Sequence, residues 1–500
     1  MKFSEFMDFF PPNSVIFPKK SRKPSRTGKI SQLVDSSNKV VKSSVFFAIK
    51  GNSSDGHKYI QDAVKRGAML VVLEDKSFIR NVKTVPYVLV SDSRRYYEKM
   101  CSLFFGRHDE TMFNVGITGT NGKTSTTYII EYILQSHGVS TGVIGTVNHR
   151  VGKKVWPTSH TTPDPSTVHS RYKDFRKHGA QASAVEITSH GIDQKRMHSI
   201  NFDIGIFTNL TQDHLDYHGT MENYFSVKEK LFTELLAQSS KIEKFALVNG
   251  DDPYGRKLKT HSTVSKHFFG KDRKFPIWFE VKEKHFEFQK LEIGYFDQRF
   301  QMKFPLLGDH NIYNFISTLF VYDYLKIPMA SVIKKMESFA GIPGRLQRVR
   351  EIKNKNVFVD FAHTPDAVAK TIETVRELRT ELKSNNKIIT VFGCGGDRDS
   401  TKRPIMGQIA EGKSDVVIVT SDNPRTEDPM AIIDQIKAGF SNQSDKIFEV
   451  NRSLAIQKAM QISKPGDIVL VLGKGHENYQ IIGDKKRPFD DYKEVIKYAK

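Results

Sequence analysis

Met112-Phe113-Asn114-Val115-Gly116-Ile117 runs without a break into Thr118-Gly119-Thr120-Asn121-Gly122-Lys123-Thr124-Ser125. The first six residues form a short apolar run of the kind expected of a buried strand. A glycine-rich loop follows, and then Tyr128, Ile129, Tyr132 and Ile133 recur with helical spacing, which predicts one apolar helix face. A strand that feeds such a loop, with a helix opening at the Lys-Thr pair, turns backbone N–H groups and the helix N-terminus toward one point. That arrangement is a cradle for phosphate oxygens. Gly119, Thr120, Asn121, Gly122, Lys123, Thr124 and Ser125 are therefore read as a nucleoside triphosphate site, with Lys123 reaching the terminal phosphates and the Thr124 hydroxyl facing Mg²⁺. The generic G-x-x-x-x-G-K-[ST] pattern is not fully met, because Ile117 stands where the first glycine belongs. A chance Gly-Lys-Thr at a helix start is the alternative.

Outward from this loop, the texture of the chain divides it into three. Residues 1 to about 110 mix the short apolar runs Val45 to Ile49 and Met69 to Leu73 with polar turns such as 51–56, and the polar Gly106-Arg107-His108-Asp109-Glu110 is placed as a linker. In the second region, Ala182 to Ile187, Ile204 to Phe207 and Phe245 to Val248 are further strand candidates, and 275–307 alternates with period two as antiparallel strands do. From about Gly341, Val357 to Phe361, Ile388 to Phe392, Val416 to Thr420 and Ile468 to Leu472 alternate with helical patterns over Pro365 to Leu382 and Ser453 to Ile462. Strand–helix alternation predicts an α/β fold with parallel sheets, Rossmann-like in the last region. The expected boundaries are 1–108, 109–341 and 342–500.

Composition agrees with a globular chain and excludes several classes. Five hundred residues, 38% hydrophobic and 26% charged, exceed one core, and no apolar run is long enough to cross a bilayer. Glu5 and Asp8 interrupt the N-terminal segment where a signal peptide needs apolar residues, and the two cysteines, Cys101 and Cys394, suit a reducing cytoplasm. The formal charge of +20 suggests nucleic acid or anionic small substrates. The one dense basic run, Lys19-Lys20-Ser21-Arg22-Lys23, has no interleaved aromatic residues to stack on bases, so nucleic acid is not expected.

Charged turns after strand candidates locate further chemistry, since loops at the carboxyl ends of parallel strands converge on one crevice. Thr161-Thr162-Pro163, Glu186 ahead of Thr188-Ser189-His190, and Asp213-His214 are expected near the phosphates, with Glu186 and His214 serving Mg²⁺. In the third region, Gly393 to Asp399, Asp422-Asn423-Pro424-Arg425 and Gly473-Lys474-Gly475-His476-Glu477 each follow a strand. A pocket holding Arg398, Arg425, Asp422 and Glu477 would suit a zwitterionic amino acid, the arginines taking carboxylates and the acids an ammonium. Solvated surface loops are the alternative reading of each residue alone. Cys394 is expected to be a packing residue.

Taken together these motifs resemble the Mur ligases, and within them the UDP-N-acetylmuramoyl-tripeptide synthetases. The likeness continues through Gly308-Asp309-His310-Asn311, Pro343-Gly344-Arg345 and Asp360-Phe361-Ala362-His363, in the family's order over nearly the whole chain. It implies a three-domain architecture: a UDP-MurNAc-binding N-terminal domain, a central P-loop-type ATPase domain, and a C-terminal Rossmann-like domain bringing the amino acid. The implied reaction is ATP-dependent amide formation on UDP-MurNAc-L-Ala-D-Glu through an acyl phosphate, in peptidoglycan precursor synthesis. The resemblance assigns Lys228, in Tyr224-Phe225-Ser226-Val227-Lys228, as a carbamylated lysine that helps hold a second Mg²⁺. Read without it, Lys228 is a solvated helix lysine beside Glu229 and Lys230. Ser36, Thr161, Thr162, Thr188, Gln194 and Arg196 are implied to grip the muramoyl-peptide, and Asn311, Arg345 and Asp360 to surround the nucleotide.

Within the family, the Asp-Asn-Pro-Arg turn resembles that of enzymes using meso-diaminopimelate, so Arg398, Asp422, Asn423, Pro424, Arg425, Gly473 and Glu477 are implied to bind it, with L-lysine the alternative. The chain departs from the family at Ser37, where an arginine is usual, at Asn52-Ser53-Ser54, where relatives often have a histidine, and at Ser125. Those departures bear chiefly on the UDP contacts. A folylpolyglutamate synthetase is the alternative enzyme class, and a monomer is expected.

Overall fold

The computed structural model of the chain describes residues 1–499 apart from 12–13, 22–27, 52–53, 159 and 443. Arg22 and Lys23 of the basic run, and Asn52 and Ser53 of the departing N-terminal turn, thus lie outside the described residues. The chain divides into two compact units, 1–277 with 314–327, and 278–313 with 328–500. This division cuts the expected 109–341 segment, because the antiparallel strands after 277 fall in the second unit.

In the first unit, one five-stranded sheet runs in the order Val15–Ile16, Tyr87–Leu89, Ala68–Leu73, Ser44–Phe47, Leu33–Val34. Its pairings are parallel except for that of Val15–Ile16. A second sheet sets six parallel strands side by side: Ser265–Gly270, Phe245–Asn249, Ile204–Phe207, Phe113–Thr118, Ala182–Glu186 and Thr141–Ile144. His149–Val151 and Lys154–Trp156 extend it antiparallel. Strand Phe113–Thr118 is buried at every residue, as continuous apolar strands of a sheet covered on both faces are. It lies between Ala182–Glu186 and Ile204–Phe207, where the chain crosses from one side of it to the other. The carboxyl ends of these three strands therefore open on a switch-point crevice.

The expected linker is more than a turn. Asp109 is fully buried and its carboxylate accepts from Asn201 N at 3.0 Å and Asn201 Nδ2 at 2.7 Å, which anchors the entry to the Phe113 strand. The helix after the loop, Lys123–Ser136, buries only half of the expected face and adds two further residues to it. Ile129, Ile130, Ile133 and Leu134 are buried, whereas Tyr128 and Tyr132 are only half-buried, Tyr128 lying 3.9 Å beneath the Arg150 guanidinium.

The second unit holds the antiparallel pair Gln289–Tyr295 and Gln298–Phe304 and a six-stranded sheet in the order Gln347–Arg348, Asn356–Asp360, Ile468–Leu472, Ile388–Phe392, Val416–Thr420, Ile447–Glu449. Only Gln347–Arg348 is antiparallel in it. Behind the Ile468–Leu472 strand, Arg452 and Asp491 form a fully buried bidentate pair at 2.8 and 2.6 Å, and Arg452 Nη2 also donates to Leu472 O. Asp491→Ala would strand that guanidinium without its counter-charge. We expect it to destabilise the unit by about 3–5 kcal/mol, read as a lower urea midpoint; an unchanged midpoint would remove the pair from the unit's stability.

Candidate active site

The loop after Phe113–Thr118 is shaped by two glycines with φ of +142° at Gly119 and +88° at Gly122, a region that L side chains rarely adopt. Side chains are also excluded by space: a Cβ at Gly119 would sit 2.0 Å from Thr208 Oγ1, and one at Gly122 2.3 Å from Asn314 Oδ1. The absent first glycine of the generic pattern has a structural reason, because Ile117 is still inside the buried strand and the turn begins only at Gly119. The loop is fastened to the segment after Ile204–Phe207. Thr120 N donates to Asn209 O, Asn121 N to Asn209 Oδ1 and Thr208 Oγ1 to Asn121 O. Lys123 Nζ donates to Gly119 O and Thr120 O, both at 2.9 Å, so its amine rests on the loop it springs from.

Next in the site is Glu186, at the carboxyl end of its strand and 1% exposed. Its carboxylate accepts from Thr124 Oγ1 at 2.9 Å, Thr146 Oγ1 at 2.9 Å and Thr146 N at 3.0 Å. Gly145 makes room for it, since a Cβ there would meet Glu186 Oε1 at 2.2 Å. Lys228, on helix Met221–Lys230, is equally buried at 1%, and its Nζ donates to Gly119 O at 2.9 Å. Burial, with repulsion from Lys123 added and Asp213 opposing, pushes its pKa well below the ordinary lysine value. The expectation of a solvated lysine, drawn without the family likeness, is corrected here. His214 stands in a left-handed turn with its ring 4.9 Å from that of His190 and 6.0 Å from that of Tyr224.

Thr162 is a hub. Its hydroxyl donates to Glu186 O at 2.9 Å and accepts from Thr188 N and Thr188 Oγ1, while Arg196 Nη1 donates to its carbonyl at 2.7 Å and Arg196 Nη2 to Gln194 Oε1. Thr161 Oγ1 lies 3.0 Å from Thr146 Oγ1. Gln194 and Arg196 open onto a cavity of about 510 Å³ whose lining also includes Asp35, Lys39, Arg94 and Asp164. That volume is within the range of small-molecule sites. Burial, with Asp164 nearby, raises the Asp35 carboxyl. Ser36, next in sequence, is half-buried.

The second unit carries a cluster of its own. The carboxyl ends of Asn356–Asp360, Ile468–Leu472, Ile388–Phe392 and Val416–Thr420 lie side by side. Asp360 accepts from Leu346 N at 2.5 Å and Ala362 N at 2.8 Å, and burial raises its pKa; Arg345 lies 5.6 Å from the Phe361 ring. Asn311 is buried, with Nδ2 donating to Leu307 O.

The Asp422 turn is laced to the chain following Glu477. Gln480 Nε2 donates to Asp422 O, Ile481 N to Asn423 Oδ1, Arg425 N to Ile481 O and Gly483 N to Arg425 O. These bonds hold Arg425 at φ +53°, and its Nη1 reaches Gly396 O at 2.6 Å. Asp422 is buried, and burial raises its pKa; Gly473, at φ +115°, covers its Oδ2, which a Cβ there would meet at 2.5 Å. Arg398 is exposed. Cys394 is buried against Met406, and burial pushes its thiol up to about 12, as befits a packing residue.

Three family models match the chain in this order: "Mur ligase family, catalytic domain" over 29–99, "Mur ligase middle domain" over 117–322, and "Mur ligase, glutamate ligase domain" over 344–475. A curated relative from Aquifex aeolicus is 42% identical over 93% of this chain and 92% of its own length. The chain belongs to the Mur ligase family. That relative, and one from Geobacter sulfurreducens at 39% identity over 94% of both chains, are named UDP-N-acetylmuramoyl-L-alanyl-D-glutamate--2,6-diaminopimelate ligase. A solved structure with the same name superposes with a TM-score of 0.71 at 28% identity, covering 100% of this chain and 98% of that one. A folylpolyglutamate synthase from Mycobacterium tuberculosis, complexed with ADP and AMPPCP, shares the fold alone, at 17% identity over 75% of this chain and 91% of that one, TM-score 0.57. As a Mur ligase the chain is an ATP-dependent ligase with an α/β fold in the family's three-domain architecture.

In this Mur ligase the structure brings Lys123, Thr124, Glu186 and Lys228 around one loop, and Asn423, Arg425, Gly473 and Glu477 around one turn. His214 has its ring contacts with His190 and Tyr224 instead. Sequence reading missed Thr146, Arg94, Asp164 and Lys474. Of these only Lys474 lay in a quoted motif, Gly473-Lys474-Gly475-His476-Glu477, where it was given no role.

Proposed function

We propose that this Mur ligase joins meso-diaminopimelate to the D-glutamyl side-chain carboxylate of UDP-MurNAc-L-Ala-D-Glu, with ATP as co-substrate. The observation that carries this reading is the Asp-Asn-Pro-Arg turn, with Arg425 held by the strand after Glu477, in a chain about two-fifths identical to relatives bearing that name. A carboxylate must be activated before an amine can displace its oxygen. One carboxylate oxygen attacks the γ-phosphorus, ADP leaves, and the acyl phosphate is attacked by the neutral amine of the amino acid. The C–N bond forms, phosphate departs with the C–O bond electrons, and the amine proton is released.

Lys123 would leave the loop carbonyls for phosphate oxygens and stabilise charge on the transferring group. Thr161, Thr162, Thr188, Gln194, Arg196 and Ser36 would hold the muramoyl-peptide, and the 510 Å³ cavity lined by Gln194 and Arg196 has room for part of it. Asn311, Arg345 and Asp360 would flank the nucleotide. Arg398, Arg425, Asn423, Pro424, Asp422, Gly473 and Glu477 would form the amino-acid site, the exposed Arg398 and half-buried Arg425 suiting carboxylates.

Thr124, Glu186, His214 and Lys228 as its carbamate are the proposed Mg²⁺ partners. Thr124 and Glu186 fit a hard cation, presenting two oxygen donors 2.9 Å apart. Among the described residues no group of three His, Cys, Asp or Glu gathers into a cage. When bound, Mg²⁺ would neutralise charge on the phosphates.

The three segments 1–108, 109–341 and 342–500 are proposed as substrate, ATP and amino-acid domains, supported by three family models in that order. A cytoplasmic monomer that binds no nucleic acid is also proposed. No helix among the described residues is long and apolar enough to cross a membrane. Arg403, Arg452 and Lys474 are buried cations that add to the net charge without forming a binding surface.

The test is phosphate release from ATP and Mg²⁺ with UDP-MurNAc-L-Ala-D-Glu, comparing meso-diaminopimelate with L-lysine. Release with diaminopimelate and a matching tripeptide mass is expected. Release with lysine instead would keep the ligase and remove the role given to Arg425; release with neither would overturn the reading.

A further inference from the structure

Lys474 is a lysine with a fully buried side chain, between two buried glycines and ahead of the half-buried His476 and Glu477. Its Nζ donates to Asn423 Oδ1 at 3.1 Å and to Glu477 Oε2 at 3.0 Å. Ile481 N donates to the same Asn423 oxygen at 2.9 Å. Two donors on one atom of the amide fix which end is oxygen, so Nδ2 must face the other way, and it donates to Glu477 Oε2 at 2.8 Å. Glu477 Oε2 is thereby taken by two donors from inside the protein. Among the described residues, Oε1 has only a long contact from the Tyr479 hydroxyl at 3.4 Å. The carboxylate itself is 19% exposed, against none for the lysine beneath it.

We infer that Lys474 is a positioning residue for the amino-acid substrate: it locks the Asn423 amide and one oxygen of Glu477, so that the other oxygen is presented to the incoming ammonium group. This deepens the amino-acid site proposed above and rests on it. The lysine also balances the acids crowded there. Asp422 feels Glu477 and Asp491 as like charges and Arg452 and Lys474 as opposite ones. Without Lys474, the Asn423 amide can rotate its oxygen against Glu477, and the carboxylate turns away from its bound position. Arg425 would suffer with it, because Asn423 and Arg425 belong to one turn and are tied to the same stretch, Ile481 to Gly483. ATP, by contrast, has no contact that depends on Lys474 in this reading.

Steady-state kinetics of the full chain separates this role from plain structural support. K474M and K474Q are expected to raise the KM for diaminopimelate about tenfold or more, the size of a lost charge-assisted hydrogen bond. The KM for ATP should stay within about twofold of the parent. K474Q is polar but uncharged and one bond shorter, so it cannot restore the charge-assisted bonds to Asn423 and Glu477, and it carries the test if K474M does not fold. The double variant K474M/E477Q, or K474Q/E477Q, should be little worse than E477Q alone, because the lysine acts through that carboxylate. An unchanged KM for diaminopimelate in K474Q, equal rises for both substrates, or full additivity with E477Q would each overturn the inference. The parent enzyme in the same assay tests the underlying reading separately: no turnover with diaminopimelate would overturn the proposed function and this role together, whereas an active parent with a parent-like K474Q overturns this role only.

Discussion

Lys123→Ala is expected to abolish measurable turnover, with a fall in kcat of about 10²–10³ or more, the size seen when one preorganised donor to a developing charge is removed. The side chain begins the helix Lys123–Ser136 directly after a left-handed glycine, so its reach is set by the loop and not by the rest of the unit. At rest its amine donates to two carbonyls of that loop, Gly119 O and Thr120 O. Exchanging those neutral acceptors for phosphate oxygens replaces ordinary hydrogen bonds by charge-assisted ones, roughly twice as strong. The exchange becomes most favourable as charge builds on the transferring phosphoryl group. The methyl group of alanine cannot take part in it. Lys123→Arg should fail almost as badly, because a planar guanidinium cannot replace a compact ammonium in a loop where even a Cβ at Gly122 finds an atom at 2.3 Å. Phosphate release under saturating substrates, together with calorimetric ADP binding, checks both variants. Undiminished release from the alanine variant would break the assignment of the loop.

The sequence is most legible where it is least polar. Ile388–Phe392, Val416–Thr420 and Ile468–Leu472 occupy the ranges expected of them, because parallel strands covered on both faces must be unbroken apolar runs. The phosphate loop is legible because its glycines are demanded locally, by φ and by space. What the sequence hides depends on contacts distant in the chain. Helix Lys123–Ser136 offers apolar residues around most of its circumference, so spacing alone did not reveal that Ile130 and Leu134 face inward while Tyr128 meets Arg150. Asp109 looks like part of a polar linker until Asn201 is seen to donate twice to its Oδ2. Lys474 and Lys228 look like surface charges for the same reason. A lysine with its four-carbon stem can be buried entirely if one carbonyl or carboxylate waits at the end of the path. Neither Gly119, 109 residues away, nor Asn423, 51 residues away, can be paired with its lysine by periodicity.

Lys228 gives the second large effect, and its chemistry follows from its burial. A lysine at ordinary pKa is almost wholly ammonium near pH 7 and cannot attack carbon dioxide. With its pKa well depressed, Lys228 holds more of the neutral amine, whose lone pair adds to the carbon of CO₂ and whose proton is lost, leaving the carbamate proposed above. Lys228→Ala is therefore expected to lower turnover at least about a hundredfold. Bicarbonate should not restore it, since no amine remains, while a short carboxylate such as propionate should recover part of the rate by occupying the vacated space. Retained turnover, or recovery with bicarbonate, would remove the carbamate.

For the chain kept free of carbon dioxide and bicarbonate, so that Lys228 is the free amine, the same burial makes a prediction about stability whose sign is opposite to that of a catalytic loss. Because the folded pKa lies below the unfolded value near 10.5, the unfolded chain binds more protons across the interval between them. The contribution of this group to stability therefore rises with pH through that interval and falls as pH drops. Lys228→Met removes the buried titrating group while keeping its length. It should be inactive yet unfold at a temperature no lower than the parent at pH 7, with the margin in its favour widening as pH is lowered. A variant both inactive and markedly less stable at every pH would mean that the hydrogen bond to Gly119 O holds the loop together, and that the lysine serves the fold before it serves the reaction.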